Sequence, residues 1–164
     1  MRLLKVKQRK ITYLLKAVAI ALGLLGIAFF GSAFVYAFIY KPDYQEIVPG
    51  YLRENVVFIM ITGVICYVIL YFFWRIITEI GNDNSFSMEN VKNFNNMAFC
   101  GLLIVIEYII RIIIWLIKDN LNLVALSYTL LKIIVFIIYI ILCIAMAKLV
   151  HNAYDIKTEN DLTI

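Results

Sequence analysis

Hydrophobic residues are concentrated in four long segments of the chain, and short polar segments separate them. No charged residue occurs over residues 17–40 or 55–74, and residues 97–117 and 120–147 are apolar except for three charged side chains. Because about 20 helical residues cross a hydrocarbon core of about 30 Å, each segment is long enough to span a bilayer. The pattern predicts an all-α fold, a four-helix transmembrane bundle in a single membrane domain. The spans are expected at about residues 12–40, 55–80, 97–117 and 121–149, followed by a tail at 150–164.

A transmembrane β-barrel is the other architecture that satisfies every backbone hydrogen bond inside a bilayer. The strands of such a barrel alternate between lipid-facing apolar residues and inward-facing polar residues. Residues 133–142 read Ile-Ile-Val-Phe-Ile-Ile-Tyr-Ile-Ile-Leu, which shows no such alternation. The sequence therefore favours helices.

The composition agrees with a membrane protein and excludes several other classes. Hydrophobic residues make up 64% of the chain and charged residues 16%, against about 45–50% and about 25% in an average soluble domain. A chain of this length cannot hide so much apolar surface from water, because small domains bury only about two-thirds of the surface they expose when unfolded. A soluble enzyme, a disordered chain and a disulfide-rich secreted module are therefore excluded.

The distribution of Lys and Arg predicts that both termini lie in the cytoplasm, because cytoplasmic loops and ends carry an excess of these residues. With both termini inside, the inner side holds Arg2, Lys5, Lys7, Arg9, Lys10, Lys16, Arg75, Lys92, Lys148 and Lys157, and the outer side holds Lys41, Arg53 and Lys118. We expect a multi-pass protein of the bacterial cell membrane, with its basic N-terminal segment at anionic lipid headgroups. The first span is expected to be retained, since it is longer than the apolar region of a signal peptide.

Three charged residues fall inside the predicted spans, namely Glu107, Arg111 and Lys132. Ionisable groups inside a bilayer are costly and often mark function. Glu107 and Arg111 are four residues apart, so they lie on one helical face. In one interpretation, all three face the bundle interior as a structural cluster, where Glu107 neutralises one cation and Tyr108 or Tyr128 completes the hydrogen bonds. In the other, they bind an anionic ligand or relay protons in a small oligomeric transporter or an immunity-type protein.

The loop between the second and third spans contains a signal for the start of a helix. Ser87 is a good N-cap, and Glu89 lies in the first turn, where a negative charge suits the helix dipole. At the end of the preceding helix, Arg75 and Glu79 have i, i+4 spacing, which predicts an interfacial ion pair of small energy. The third helix is therefore expected to begin a turn or two before its apolar segment.

Small residues recur at helical spacing in the first span. Pairs such as Ala19 with Gly23, and Ala28 with Ser32, fit the small-xxx-small pattern that lets two helices approach closely. This pattern predicts a packing contact within the molecule.

The sequence contains no set of residues with catalytic or metal-binding spacing. Cys66, Cys100 and Cys143 all fall in spans without a Cys-x-x-Cys motif, so they are expected to pack as small apolar residues. His151 is the only histidine, which excludes a zinc or iron site built on a His cluster. There is no nucleophile elbow, phosphate-binding loop or His-Glu-x-x-His motif. We therefore expect a protein that is not an enzyme and has no cofactor or metal.

Two short patches of the sequence resemble a known family. The first is Ser85-Phe86-Ser87 followed by Glu89-Asn90, and the second is Glu-Asn-Asp-Leu-Thr-Ile at residues 159–164. Together with the four spans, these patches are similar to a family of small four-helix membrane proteins of Gram-positive bacteria, known only as a domain of unknown function. The resemblance implies a fold and a compartment, and it implies no established activity.

The resemblance also implies a protein partner. Members of the family often occur beside a small helix-turn-helix regulator in the genome, which suggests that the cytoplasmic face restrains or senses such a regulator without contacting nucleic acid directly. A homo-oligomer is the other assembly that we consider. The predicted partner surface consists of Phe86, Ser87, Glu89, Asn90, Asn160, Asp161, Leu162 and Ile164.

Overall fold

The computed structural model describes the backbone of residues 2–38, 50–119 and 122–162, and the side chains of residues 10–35, 55–119 and 122–160. The described chain forms four helices: α1 (Arg2–Phe38), α2 (Gly50–Gly81), α3 (Met88–Ile117) and α4 (Leu123–Leu162). Each helix contains a segment long and apolar enough to cross a membrane. The chain is therefore an all-α, multi-pass membrane protein, as the hydrophobic pattern predicts.

The first and last helices extend well beyond the predicted spans. α1 begins at Arg2, so the basic N-terminal segment is helical. α4 has 40 residues and is about 60 Å long, twice the thickness of a hydrocarbon core. It continues to Leu162 because residues 150–162 contain neither Gly nor Pro, the residues that most readily end a helix. The predicted tail at residues 150–164 is thus helical as far as Leu162, the last residue that the structure describes.

A tight turn joins α2 to α3. Asp83 has a φ of 61°, in the left-handed region that Asp tolerates better than most residues. The backbone N–H of Asn84 donates to the carbonyl oxygen of Glu79 at 3.0 Å. Ser87 then begins α3 as its N-cap, with extended backbone angles and a side-chain oxygen that accepts from the N–H of Asn90 at 3.2 Å. The predicted cap is confirmed.

The helices pack in the order of the chain. α1 packs on α2, α2 on α3 and α3 on α4, and within the described helices the backbone of α1 does not closely approach α3 or α4. In the apolar segment of α3, 44% of the residues are buried. The corresponding fraction is 11% in α1, 17% in α2 and 17% in α4. α3 is therefore the central helix, and the polar side chains discussed below are mostly on it or against it.

Glycines allow aromatic rings to pack between α1 and α2. The Tyr67 hydroxyl donates to the carbonyl oxygen of Gly23 at 2.7 Å. A Cβ atom added to Gly26 would lie 2.9 Å from the Tyr67 hydroxyl, and one added to Gly63 would lie 2.9 Å from the Phe30 ring. The predicted contact within the molecule is therefore confirmed for Ala19, which is buried, and for Gly23. Ala28 and Ser32, the other predicted pair, are exposed.

An apolar core holds α2, α3 and α4 together. It contains the buried side chains of Ile76, Met97, Ala98 and Cys143. Cys100 is also buried, and Cys66 is partly exposed; all three thiols are free. The cysteines are thus membrane-span residues with no disulfide between them.

Candidate functional site

Glu107 is a buried carboxylate between α3 and α2. Its side chain is 7% exposed. One carboxylate oxygen, Oε2, accepts a hydrogen bond from the Thr62 hydroxyl at 2.9 Å. The other oxygen, Oε1, has no hydrogen-bond partner among the described residues. Because an unsatisfied buried polar atom is costly, the Thr62 hydroxyl is the principal compensation for burying this acid.

Arg111 lies one helical turn beyond Glu107 and is 2% exposed. The guanidinium carbon is 5.1 Å from the ring centroid of Phe58, 5.8 Å from that of Tyr108 and 5.9 Å from that of Trp115. Nη2 donates to the backbone oxygen of Asn55 at 3.3 Å. Aromatic faces attract a cation, and this attraction strengthens when water is excluded. Three rings and a carbonyl oxygen therefore stabilise the guanidinium, although Nε has no hydrogen-bond partner in the described ranges.

The structure differs from the interpretation in which all three charges face the bundle interior. Among the described side chains, no carboxylate lies within 4.0 Å of Arg111 or Lys132, so Glu107 forms no direct ion pair with either. Lys132 is exposed rather than interior. Its Nζ lies 5.8 Å from the Tyr108 ring centroid, whereas Tyr128 is 62% exposed.

The arrangement is therefore a buried pair of charges with the third at the edge. Glu107 and Arg111 each contact α2, through the Thr62 hydroxyl and the Asn55 carbonyl respectively. Lys132 contacts the same region through the face of Tyr108. Chemically, this set supplies one acceptor and one charged donor inside the span, and it fixes the rotation of α3 against α2.

Sequence reasoning missed the partners that α2 supplies. Thr62 and Asn55 are polar residues in an otherwise apolar span, and both are buried. A search for polar residues in the charge-free segments would have found them. Asn93 was missed as well: it is 1% exposed, and neither atom of its side-chain amide has a hydrogen-bond partner.

The predicted loop surface divides into buried and exposed residues. Ser87 and Asn90 are buried, so they cannot contact a partner in this conformation. The Asn90 side-chain amide donates to the backbone oxygen of Ser85 at 2.9 Å and so holds the loop together. Phe86 is 52% exposed, and Glu89 is partly exposed. Of the four loop residues, Phe86 and Glu89 remain available to a partner.

An ion pair joins the end of α2 to the start of α3. The Arg75 guanidinium donates to Glu89, and each side chain is about half-exposed. Glu79, the partner predicted for Arg75, instead accepts from the Asn84 side-chain amide at 2.7 Å. The predicted i, i+4 pair is thus replaced by a contact between two helices.

The end of α4 provides the remaining predicted partner residues. We define the α4 extension as residues 151–162, which follow Val150, a buried residue in an apolar cluster with Val91 and Ala147. Within the extension, Ile156 is 61% exposed and Asn160 is exposed. The side chains of Asp161 and Leu162, and the whole of Ile164, lie outside the described residues.

The described residues contain no cluster of His, Cys, Asp and Glu that could hold a metal ion. His151 instead pairs with Asp155 one turn along α4, at 3.0 Å. No curated protein and no solved structure matches the chain. A family model described as "Protein of unknown function (DUF2975)" matches residues 9–164. Since this match covers both sequence patches, the whole of α2, α3 and α4, and α1 from residue 9 onward, the chain belongs to that family of proteins of unknown function.

Proposed function

We propose that this protein is a non-enzymatic protein of the bacterial cell membrane that contacts a cytoplasmic protein through its α4 extension. The observation that carries the proposal is the continuation of α4 as a helix to Leu162, beyond its last buried residue, Val150. A helix that leaves the packed part of the molecule has exposed sides available to a partner. The Lys and Arg distribution places this end in the cytoplasm.

The exposed surface of the α4 extension combines one apolar anchor with acidic groups. Ile156 is the exposed apolar side chain among polar neighbours. The extension carries Asp155, Glu159 and Asp161 against a single lysine, Lys157. Amphipathic helices bind partner grooves through a few apolar anchors. A helix that is already formed also loses less conformational entropy on binding than a flexible tail.

This chemistry suits the partner that the family resemblance suggests. A helix-turn-helix regulator has a basic face that contacts DNA phosphates. The acidic α4 extension is complementary in charge to such a face. We therefore propose that the extension competes with DNA for the regulator, so that the membrane protein restrains it without touching nucleic acid.

The loop between α2 and α3 lies at the same end of the molecule as the extension. It is held by the Ser87 cap, by the Asn90 amide and by the ion pair of Arg75 with Glu89. Phe86 is therefore presented from a structured loop. We propose that Phe86 is a second, smaller contact for the partner.

Co-purification with a helix-turn-helix regulator encoded beside the gene tests this proposal. Removing residues 159–164 should abolish recovery of the regulator and leave membrane insertion unchanged. Ile156→Ala should strongly weaken recovery of the regulator, whereas Ile117→Ala should have no effect. Ile117 is also an exposed isoleucine, but it lies at the opposite end of the bundle. Unchanged recovery with the truncated chain contradicts the proposal.

A second candidate function is a small oligomeric transporter or an immunity-type protein. The observation that favours it is that two buried polar atoms, Glu107 Oε1 and Arg111 Nε, have no partner within the part of the chain that the structure describes. A flux assay or a toxin-protection assay in cells distinguishes this function from regulator binding. Glu107→Gln should abolish either activity, and a Lys132→Met protein that folds and works normally would contradict this second function.

A further inference from the structure

A pocket lies in the middle of the membrane-spanning region, on the side of α2 that faces the other helices. Its volume is about 420 Å³, within the range of pockets that bind small molecules. All four helices contribute to its walls. The walls include Leu22 and Phe30 of α1, Cys66 and Phe73 of α2, Met97 of α3 and Tyr139 of α4.

The pocket lies at the depth of hydrocarbon chains and not of headgroups. Leu22 and Phe30 are eight residues apart, so the pocket extends about 12 Å along α1. Both residues are inside the apolar segment of α1, and Cys66 and Phe73 are inside that of α2. Among the residues that the structure describes, no charged one lines the pocket. A polar headgroup would therefore have to remain outside it.

The walls favour an apolar occupant. Water in an apolar cavity lacks the two to four polar partners that it needs. An empty cavity forfeits dispersion contacts along its whole lining. A hydrocarbon chain restores those contacts along most of the lining, because lipid chains are as apolar as the leucine and phenylalanine side chains of the wall.

The packing order of the helices provides an entrance. The backbone of α1 closely approaches only α2 among the described helices. Leu22, on the α1 side of the pocket, is 53% exposed. The pocket can therefore be entered sideways from the bilayer, through the gap between α1 and α4.

We infer that the pocket binds one acyl chain of a membrane phospholipid, which enters between α1 and α4 and packs against Cys66, Met97 and Tyr139. The headgroup of this lipid stays at the membrane surface. The site is distinct from the buried charges at Glu107 and Arg111, neither of which lines it.

Photocrosslinking in nanodiscs tests the inference. The full-length protein is reconstituted in phosphatidylglycerol that contains a phospholipid with a diazirine near the methyl end of one chain. Adducts should concentrate on the peptides that carry residues 66–73 and Tyr139. The same lipid with its diazirine beside the ester group should leave these peptides unlabelled, because that group lies at a different depth.

Variants that fill the pocket provide the control. Leu22→Trp should remove most of the adducts on residues 66–73, and Cys66→Phe should do the same from the opposite wall. Leu131→Trp makes the same change at a leucine of similar exposure on α4 that does not line the pocket, and it should leave the labelling unchanged. Equal labelling of all lipid-facing surfaces, unaffected by Leu22→Trp, would overturn the inference. So would a disulfide between the Cys66 residues of two molecules in place of lipid adducts, because a second copy would then occupy the gap.

Discussion

Replacing Thr62 with Val tests how the buried carboxylate is stabilised. The Thr62 hydroxyl is the hydrogen-bond donor to Glu107, and both side chains are less than one-tenth exposed. Valine keeps the shape of threonine and removes the donor. Both carboxylate oxygens would then lack a partner, since Oε1 already has none.

The expected cost follows from the energy of buried hydrogen bonds. A bond to a charged group contributes about 1.5–3 kcal/mol in soluble proteins, whereas measured bonds between membrane helices average about 0.6 kcal/mol with a maximum near 1.7. Because no second hydrogen-bond donor contacts Glu107 among the described residues, we expect Thr62→Val to lower the free energy of unfolding by about 1.5 kcal/mol.

Thr129 provides a matched control. It is fully buried, and its hydroxyl donates to the carbonyl oxygen of Ala125 in its own helix at 2.8 Å. That oxygen already accepts a backbone bond, so Thr129→Val should cost only about 0.5 kcal/mol or less. Comparing Thr62→Val with Thr129→Val therefore distinguishes the cost of losing a hydrogen bond between helices from the cost of removing any buried threonine hydroxyl.

Equilibrium unfolding in mixed detergent micelles, followed by circular dichroism, measures both variants. A double-mutant cycle then combines Thr62→Val with Glu107→Leu, which removes the acceptor. Thr62→Val should lose most of its cost in the Glu107→Leu background, a coupling of about 1 kcal/mol. Additive costs, or equal costs for Thr62→Val and Thr129→Val, would refute this account of the site.

Three further predictions concern helix packing and the loop, each measured by the same unfolding assay. Glu89→Gln removes a half-exposed ion pair, so it should cost less than about 1 kcal/mol and have no effect at high salt. Gly26→Leu should lower the free energy of unfolding by about 1–3 kcal/mol because it displaces the Tyr67 ring. Gly31→Leu should be tolerated, since nothing lies within 4 Å of a Cβ atom added there. Asn90→Ala should cost about 1–3 kcal/mol by removing the bonds that close the loop, and it should speed proteolysis at residues 82–87.

The start of α3 shows what local sequence can predict. The Ser87 cap involves atoms only three residues apart, so residue types alone indicate it. The neighbouring ion pair shows the opposite case. Spacing along one helix favoured Glu79 as the partner of Arg75, but the partner is Glu89 on the next helix. Residues separated by a turn come together only when two helices pack.

Some features of the intramembrane charges are also indicated by the sequence, and others depend on how the helices pack. Hydrophobic pattern and spacing correctly indicate that Glu107 and Arg111 share one face of a spanning helix. Their partners, Thr62 and Asn55, are 45 and 56 residues away in sequence. Lys132 is close enough to reach the Tyr108 ring, yet it is exposed because of how α4 is rotated about its axis.

The sequence by itself determined the class of the protein, the number of spanning helices and the start of α3. These features depend on the transfer of apolar segments into lipid and on local hydrogen bonds, both of which can be read residue by residue. The tertiary structure alone decided which faces meet, which charges are buried and where the pocket lies. In a soluble protein, the polar residues on one side of an amphipathic helix show that the opposite, apolar side is buried. In a bilayer the lipid-facing side is apolar too, so long apolar stretches such as residues 133–142 do not encode how the helix is rotated.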